Sequence, residues 1–321
     1  MFKYFLKRCF FALLSFILVV FSCFVLVKMS ITKPMQPPLM DDITWNNILE
    51  KEGYNKPIIK QFFQWSNNSL HGDFGFSLKR NQNVYDVVKN KIPLTIKMNL
   101  IPTLLSVPLG IFLAILSVNR KNSYLDHFIS FFTIMIMTLG TLVIAILAQF
   151  FFVHIFNWFP YQVATPLEWQ EKGFLFGVYS YLLPLLIMVV LNMVFYIRRI
   201  KAELIEQTNK DYFLLARSKG LSFGQTINRH ALKNSLVPYA PVLLAEITGL
   251  ITGSFLIEKI FSVDGSGRLL LEGFNSQDQP LLMLVFVFYT LVSLISSIIG
   301  DLSYRLLDPR IKVGGKKNEN V

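Results

Sequence analysis

Six long apolar runs constrain this chain more than any other feature. They are Cys9–Val27, Leu94–Val118, Phe128–Phe156, Val178–Ile197, Leu236–Ile257 and Leu281–Leu302. A helix that crosses a bilayer needs roughly 20 mostly apolar residues, and each run is of that order. Pro102 and Pro108 interrupt the second run without demoting it, because neighbouring helices can satisfy the backbone groups that a proline frees. The composition agrees: 53% of the 321 residues are apolar and 30 are Phe, too hydrophobic for an ordinary soluble domain. The expected fold is an all-α polytopic membrane protein with about six spans.

The first run follows Lys3, Lys7 and Arg8 as a signal peptide would. Its apolar core is longer than a usual signal h-region, and "KMSITKP" after it offers no small-residue cleavage site, so it is read as a span. The formal net charge is +11. Its distribution orients the chain. Lys and Arg crowd the N-terminus, the link at Arg120 and Lys121, the long segment between runs four and five, and the C-terminal tail. The connections after runs three and five hold the acids Glu168, Glu171, Glu258, Asp264, Glu272 and Asp278. The positive-inside bias places both termini in the cytoplasm and the long segment after the first run outside.

Much chemistry is missing. The four histidines are scattered, with no metal-binding spacing, and no GxxxxGK[ST] is present to hold a nucleotide phosphate. No nucleophile stands beside a base. The two cysteines, Cys9 and Cys23, lie in one helix, about 21 Å apart at ~1.5 Å per residue, and cannot pair. No catalytic residue, metal site or cofactor is expected in this chain.

One basic stretch interrupts the apolar pattern: "DYFLLARSKGLSFGQTINRHALKNSLVPYAP", from Asp211 to Pro241. It reads as two helical pieces around a turn at Gly220, with Tyr212 to Ala216 forming one compact apolar patch. A helix-turn-helix tethered at both ends by spans suits docking to another protein. A DNA-binding role fits poorly, because there is no soluble domain to carry it. A solvated linker is the plain alternative.

These residues resemble the coupling loop of ABC importer permeases, in the oligopeptide, dipeptide and nickel branch. Asp211, Tyr212, Ala216, Arg217, Lys219, Gly220, Leu221, Arg229, His230, Leu232, Asn234 and Pro238 match its pattern, while Leu214 and Leu215 replace the Glu-Ala that names the loop. "HGDFGFSLKRNQNVYDVVKNKIPLTIKM", "IEKIFSVDGSGRLLLEGFNSQDQPLL" and "DLSYRLLDPRIK" resemble further stretches of the family in the same order, and together point to its B-type subunit. Asp264 stands where the family usually has Pro, Gln279 where it has Tyr or Phe, and "MTLGTLVIAIL" lacks a common Leu-Pro.

The resemblance implies an organisation: residues 1–28 as N-terminal end and first span, 29–93 as an extracellular loop, 94–304 as the type-1 transmembrane domain with its coupling loop at about 200–238, and 305–321 as a cytoplasmic tail. It implies a permease of the bacterial cell membrane that imports oligopeptides and is not itself an enzyme, with dipeptides, nickel chelates or sugars as alternative cargo. Its implied partners are a second, C-type permease, two ATPase subunits that bind ATP and Mg, an extracellular or periplasmic binding protein, and membrane lipid, with no nucleic acid. Tyr212, Ala216, Arg217, Lys219, Gly220, Leu221 and Ser222 are the expected ATPase-coupling residues. Glu246, the one acid deep in a run, is the candidate for the translocation pathway. Gly249 and Gly253 form a GxxxG pair expected to serve helix packing. A secondary transporter is the rival class; it would show inverted repeats and several intramembrane acids, and neither is apparent.

Overall fold

The computed structural model describes residues 2–30, 36, 41–51, 56–77, 79–239, 243–244, 246, 250 and 254–307. Among these, five helices are long and apolar enough to cross a membrane: Leu6–Ser30, Val84–Asn119, Tyr124–Ile155, Phe174–Thr208 and Gln279–Asp301. They correspond to five of the six apolar runs. The other, Leu236–Ile257, lies largely outside the described residues, and Gly249 and Gly253 fall in that part.

The chain divides into two compact units. The first unit comprises residues 1–96, 251–259 and 263–295. It holds α1 (Phe2–Ser30), α2 (Asp42–Lys51), α3 (Ile58–Leu70) and a short antiparallel hairpin of β1 (Phe76–Ser77) and β2 (Gln82–Asn83), with Phe76 opposite Asn83. It also holds the beginning of α4 (Val84–Asn119). Helices α11 (Phe255–Ile260) and α12 (Ser266–Ser276) follow in the chain, then α13 (Gln279–Leu307). Val20, Phe24 and Val27 on α1 pack against Leu282, Met283 and Val287, with Phe62 and Trp65 of α3 alongside. Spacings of three and four residues put the α1 set on one face of its helix, and Phe62 and Trp65 on one face of α3. The segment expected as an external loop is therefore partly helical, and α4 begins at Val84, ahead of the apolar run at Leu94.

The second unit comprises residues 97–250, 260–262 and 296–321. It contains most of α4, α5 (Tyr124–Ala148), α6 (Pro166–Lys172), α7 (Phe174–Thr208), α8 (Asp211–Ser218), α9 (Phe223–Thr226) and α10 (Leu232–Leu236). A wider π-type turn, Gln149–Ile155, extends α5, and a second one, Ile227–Ala231, joins α9 to α10. Ser123 caps α5 by accepting from the Asp126 N–H. Thr165 and Glu168 form a capping box at α6, with Pro166 at its first position.

Two glycines shape this unit. Gly110 sits on α4 where a Cβ would lie 2.6 Å from Tyr196 Cβ and 3.1 Å from the Met193 carbonyl, so α4 and α7 meet backbone to side chain. Gly140 breaks the helical geometry of α5 with φ 71° and ψ 166°. A side chain there would be strained. The kink is thus attributable to the glycine backbone at this position.

Candidate functional site: the basic helix-turn-helix and the cavity behind it

The basic segment is built to hold its own shape. Helix α8 ends in a left-handed glycine turn. Gly220, at φ +90°, donates its N–H to the Arg217 carbonyl at 3.0 Å, and Leu221 donates to the Ala216 carbonyl at 3.4 Å. This crossed pair satisfies the last carbonyls of the helix. Ser222 then opens α9 with a capping box. Its hydroxyl accepts from the Gln225 N–H at 3.3 Å, and its own N–H donates to Gln225 Oε1 at 2.9 Å. Both helix ends at the turn are thus satisfied locally, without help from a partner. The Arg217 guanidinium donates to the Leu221 carbonyl at 2.8 Å across the turn, and the Tyr212 hydroxyl donates to Gln207 at 2.6 Å.

The apolar patch expected over Tyr212 to Ala216 does not exist as one surface. Phe213 and Ala216 are buried at 3% and 8% exposure, whereas Leu214 and Leu215 are 62% and 57% exposed. The period of the helix explains the split: positions three apart share a face and the two between them point away. Phe213 packs in a cluster with Ala114 and Val118 of α4, Tyr196, Ile200 and Leu204 of α7, and Ile227 and Ala231. Burying it stabilises the segment by about 1.5–3 kcal/mol relative to leaving it in water. Helix α8 is therefore fixed to the ends of α4 and α7, with Leu214 and Leu215 outward. Arg217, Lys219, Gly220 and Ser222 are exposed too, as are Arg229 and Lys233. Such a surface, with apolar anchors among cations, suits a protein contact.

A cavity of about 510 Å³ lies in the same unit. Asn99 and Thr103 of α4, Gly140 and Thr141 of α5, and Asn192 and Tyr196 of α7 line it with Glu246. The Tyr196 hydroxyl donates to Glu246 Oε2. Glu246 is half-buried, with its carboxylate held at the cavity wall. The break at Gly140 opens onto this same space.

The family model described as "Binding-protein-dependent transport system inner membrane component" matches residues 106–313, about two thirds of the chain. This chain belongs to that family. It is 29% identical to the dipeptide transport system permease protein DppB of Lactococcus lactis, over 98% of this chain and 100% of the relative. It is 30% identical to the protein of the same name from Bacillus subtilis, over 98% and 99%. The oligopeptide transport system permease protein AppB of Bacillus subtilis is 27% identical over 90% and 92%. As a binding-protein-dependent permease, the chain is a multi-pass membrane transport subunit and not an enzyme, and it works with an ATPase and a binding protein.

Several residues in the permease stand out only in the structure. Asp126 on α5 and Lys201 on α7 form an ion pair, 75 positions apart in sequence. In the first unit, Glu258 is 2% exposed. Its carboxylate accepts from the Thr95 hydroxyl at 3.3 Å and from the Arg268 N–H at 3.1 Å. Thr95 in turn accepts from the Ser266 N–H at 2.7 Å. A Cβ on Gly265 would stand 2.5 Å from Glu258 Oε2, and one on Gly267 2.8 Å from it. The Gly-x-Gly of "VDGSGRL" is thus the space in which that carboxylate sits. Its sequence signal was the glycine spacing, but nothing local named Glu258 as the occupant.

Proposed function

We propose that this chain is the B-type permease subunit of an ATP-driven importer of oligopeptides, and that it forms half of the translocation pathway beside a C-type permease. The preorganised turn at Gly220, backed by buried Phe213 and flanked by outward Leu214 and Leu215, carries the proposal. It presents a rigid projection to a partner. In this reading Tyr212 and Ala216 anchor the projection from behind, while Arg217, Lys219, Gly220, Leu221 and Ser222 form the contact with one of two ATPase subunits. Those subunits bind ATP and Mg. The charge distribution supports a bacterial plasma-membrane protein with both termini in the cytoplasm, residues 29–93 outside, and a lipid-anchored or periplasmic binding protein delivering substrate there.

Glu246 lines the pathway in this reading. Its carboxylate, steadied by Tyr196, offers transient attraction to a cationic group such as the terminal amine of a peptide. Attraction at a pathway wall must be weak enough to release the cargo, and one carboxylate in a cavity lined otherwise by uncharged residues, many of them apolar, meets that need. Gly249 and Gly253 are proposed to let the fifth span approach another helix closely. Dipeptides are the second reading of the cargo, because the relatives that match over nearly their full length are named for dipeptide transport. The decisive experiment is a ligand screen on the cognate binding protein, paired with uptake in cells lacking this chain. Saturable binding of peptides and loss of peptide uptake are expected. Binding of sugars or nickel chelates in place of peptides overturns the assignment.

A further inference from the structure

The Asp126–Lys201 pair is well covered, with side-chain exposures of 10% and 20%. Others join residues one helical turn apart, as in Lys172–Glu168, Lys210–Glu206 and Arg268–Glu272, or are more exposed, as in Arg80–Glu272 and Lys91–Asp264. Isolated surface pairs contribute little, whereas a buried pair fixes geometry because either charge alone is costly there. This one gathers three helices. Lys201 on α7 contacts both Asp126 and, at 2.8 Å, Ser130 on α5. Ser117 near the end of α4 donates to Asp126 Oδ1, and the Asn122 N–H donates to Oδ2 at 3.0 Å.

Its location gives the pair a role. Lys201 lies on α7 beside Ile200 and Leu204, which hold Phe213 of α8. Asp126 begins α5, the helix that breaks at Gly140 where it lines the cavity with Glu246. We propose that Asp126 and Lys201 are positioning residues that join α5 to the α4–α7–α8 body, so that movement of α8 swings the first half of α5 about Gly140 and reshapes the cavity. This rests on the docking of α8 to the ATPase argued above. A hinge with two arrangements and a tie to the moving body are the physical requirements of such coupling.

The test uses the complete importer in lipid vesicles, with Cys9 and Cys23 replaced by Ser. Ile134 and Ile146 are exposed and straddle Gly140. Spin labels at I134C and I146C are expected to change separation when ATP binds. In D126N and K201M that change should vanish, while a crosslink from L214C to the ATPase persists and uptake per ATP hydrolysed falls about tenfold, within the usual range of coupling between sites. K201R keeps the charge pair and is expected to retain both the label response and uptake. A label separation that still responds in D126N and K201M overturns the joint. So does an equal fall of uptake and hydrolysis that K201R shares. Absence of the L214C crosslink in the otherwise unaltered chain instead overturns the docking of α8, a result separate from the label response.

Discussion

Gly110 and Tyr196 meet so closely that a single added carbon on Gly110 would lie 2.6 Å from Tyr196 Cβ. The neighbouring Met193 carbonyl, 3.1 Å from the same point, is backbone and cannot rotate away. Gly110→Ala should therefore overpack the α4–α7 contact at a cost of about 1–3 kcal/mol. A lower thermal midpoint of the purified permease is the expected result; an unchanged midpoint refutes the close approach.

Gly220→Val addresses the coupling turn. A β-branched residue at φ +90° is strained by about 1–3 kcal/mol, and it must abandon the crossed hydrogen bonds that end α8. The variant should insert normally but lose uptake and substrate-stimulated ATP hydrolysis together. Normal coupling at normal abundance would count against this turn as the ATPase contact.

Glu246→Gln keeps the shape and a hydrogen-bond acceptor for Tyr196 but removes the charge. Uptake of peptides with a free terminal amine should slow by about tenfold, the size of one lost charge-assisted hydrogen bond. N-acetylated peptides should be spared and basal hydrolysis unchanged. Equal slowing of both cargo types leaves Glu246 only a packing role.

Glu258→Ala removes the acceptor that the Arg268 N–H and the Thr95 hydroxyl share, at about 1–3 kcal/mol. Glu258→Gln retains an acceptor and the volume, and should be milder. Thermal midpoints ordered wild type, Gln, Ala are expected. An Ala variant as stable as the Gln variant shows that the carboxylate does not organise the segment around Gly265.

Glu168 supplies a pH dependence. The Thr165 backbone N–H, first, and the Lys172 ammonium hold its carboxyl down at about 2, below its ordinary 4.5. A depressed carboxyl adds stability that is complete above its unfolded pKa and is lost as the pH falls from about 4.5 towards 2. Helix α6 should fray in that window. Trp169 packs over Gly177, so its fluorescence reports the change, and Glu168→Gln should flatten the profile.

Five of the six expected spans were legible because lipid demands long apolar runs, and a run can be counted. The turn at Gly220 was legible because a glycine between two helical pieces has few other uses. The facing of α8 was misjudged, since five adjacent apolar residues look like one patch until helical period separates Phe213 and Ala216 from Leu214 and Leu215. Asp126 and Lys201 carry no local signal; each looks like an ordinary charge at the end of a span, and only folding brings them together. In the sequence Glu258 reads merely as an acid outside the membrane. Its partners Thr95 and Arg268 come from different helices, and no spacing rule connects them. The GxxxG spacing points to Gly249 and Gly253, which lie outside the described residues, whereas a close helix contact within them belongs to Gly110, whose companions four residues to either side are Ser106 and Ala114 rather than glycines.

The opposite facing of neighbouring residues on α8 separates two kinds of inheritance. Phe213 and Ala216 answer to this chain's own interior, so drift there is limited by its own fold. Leu214 and Leu215 are mostly exposed, so the chain's own interior sets little limit on their shape. Where α8 docks on a motor subunit as proposed, a change of these two side chains alters the rim of that contact without disturbing the fold that holds it.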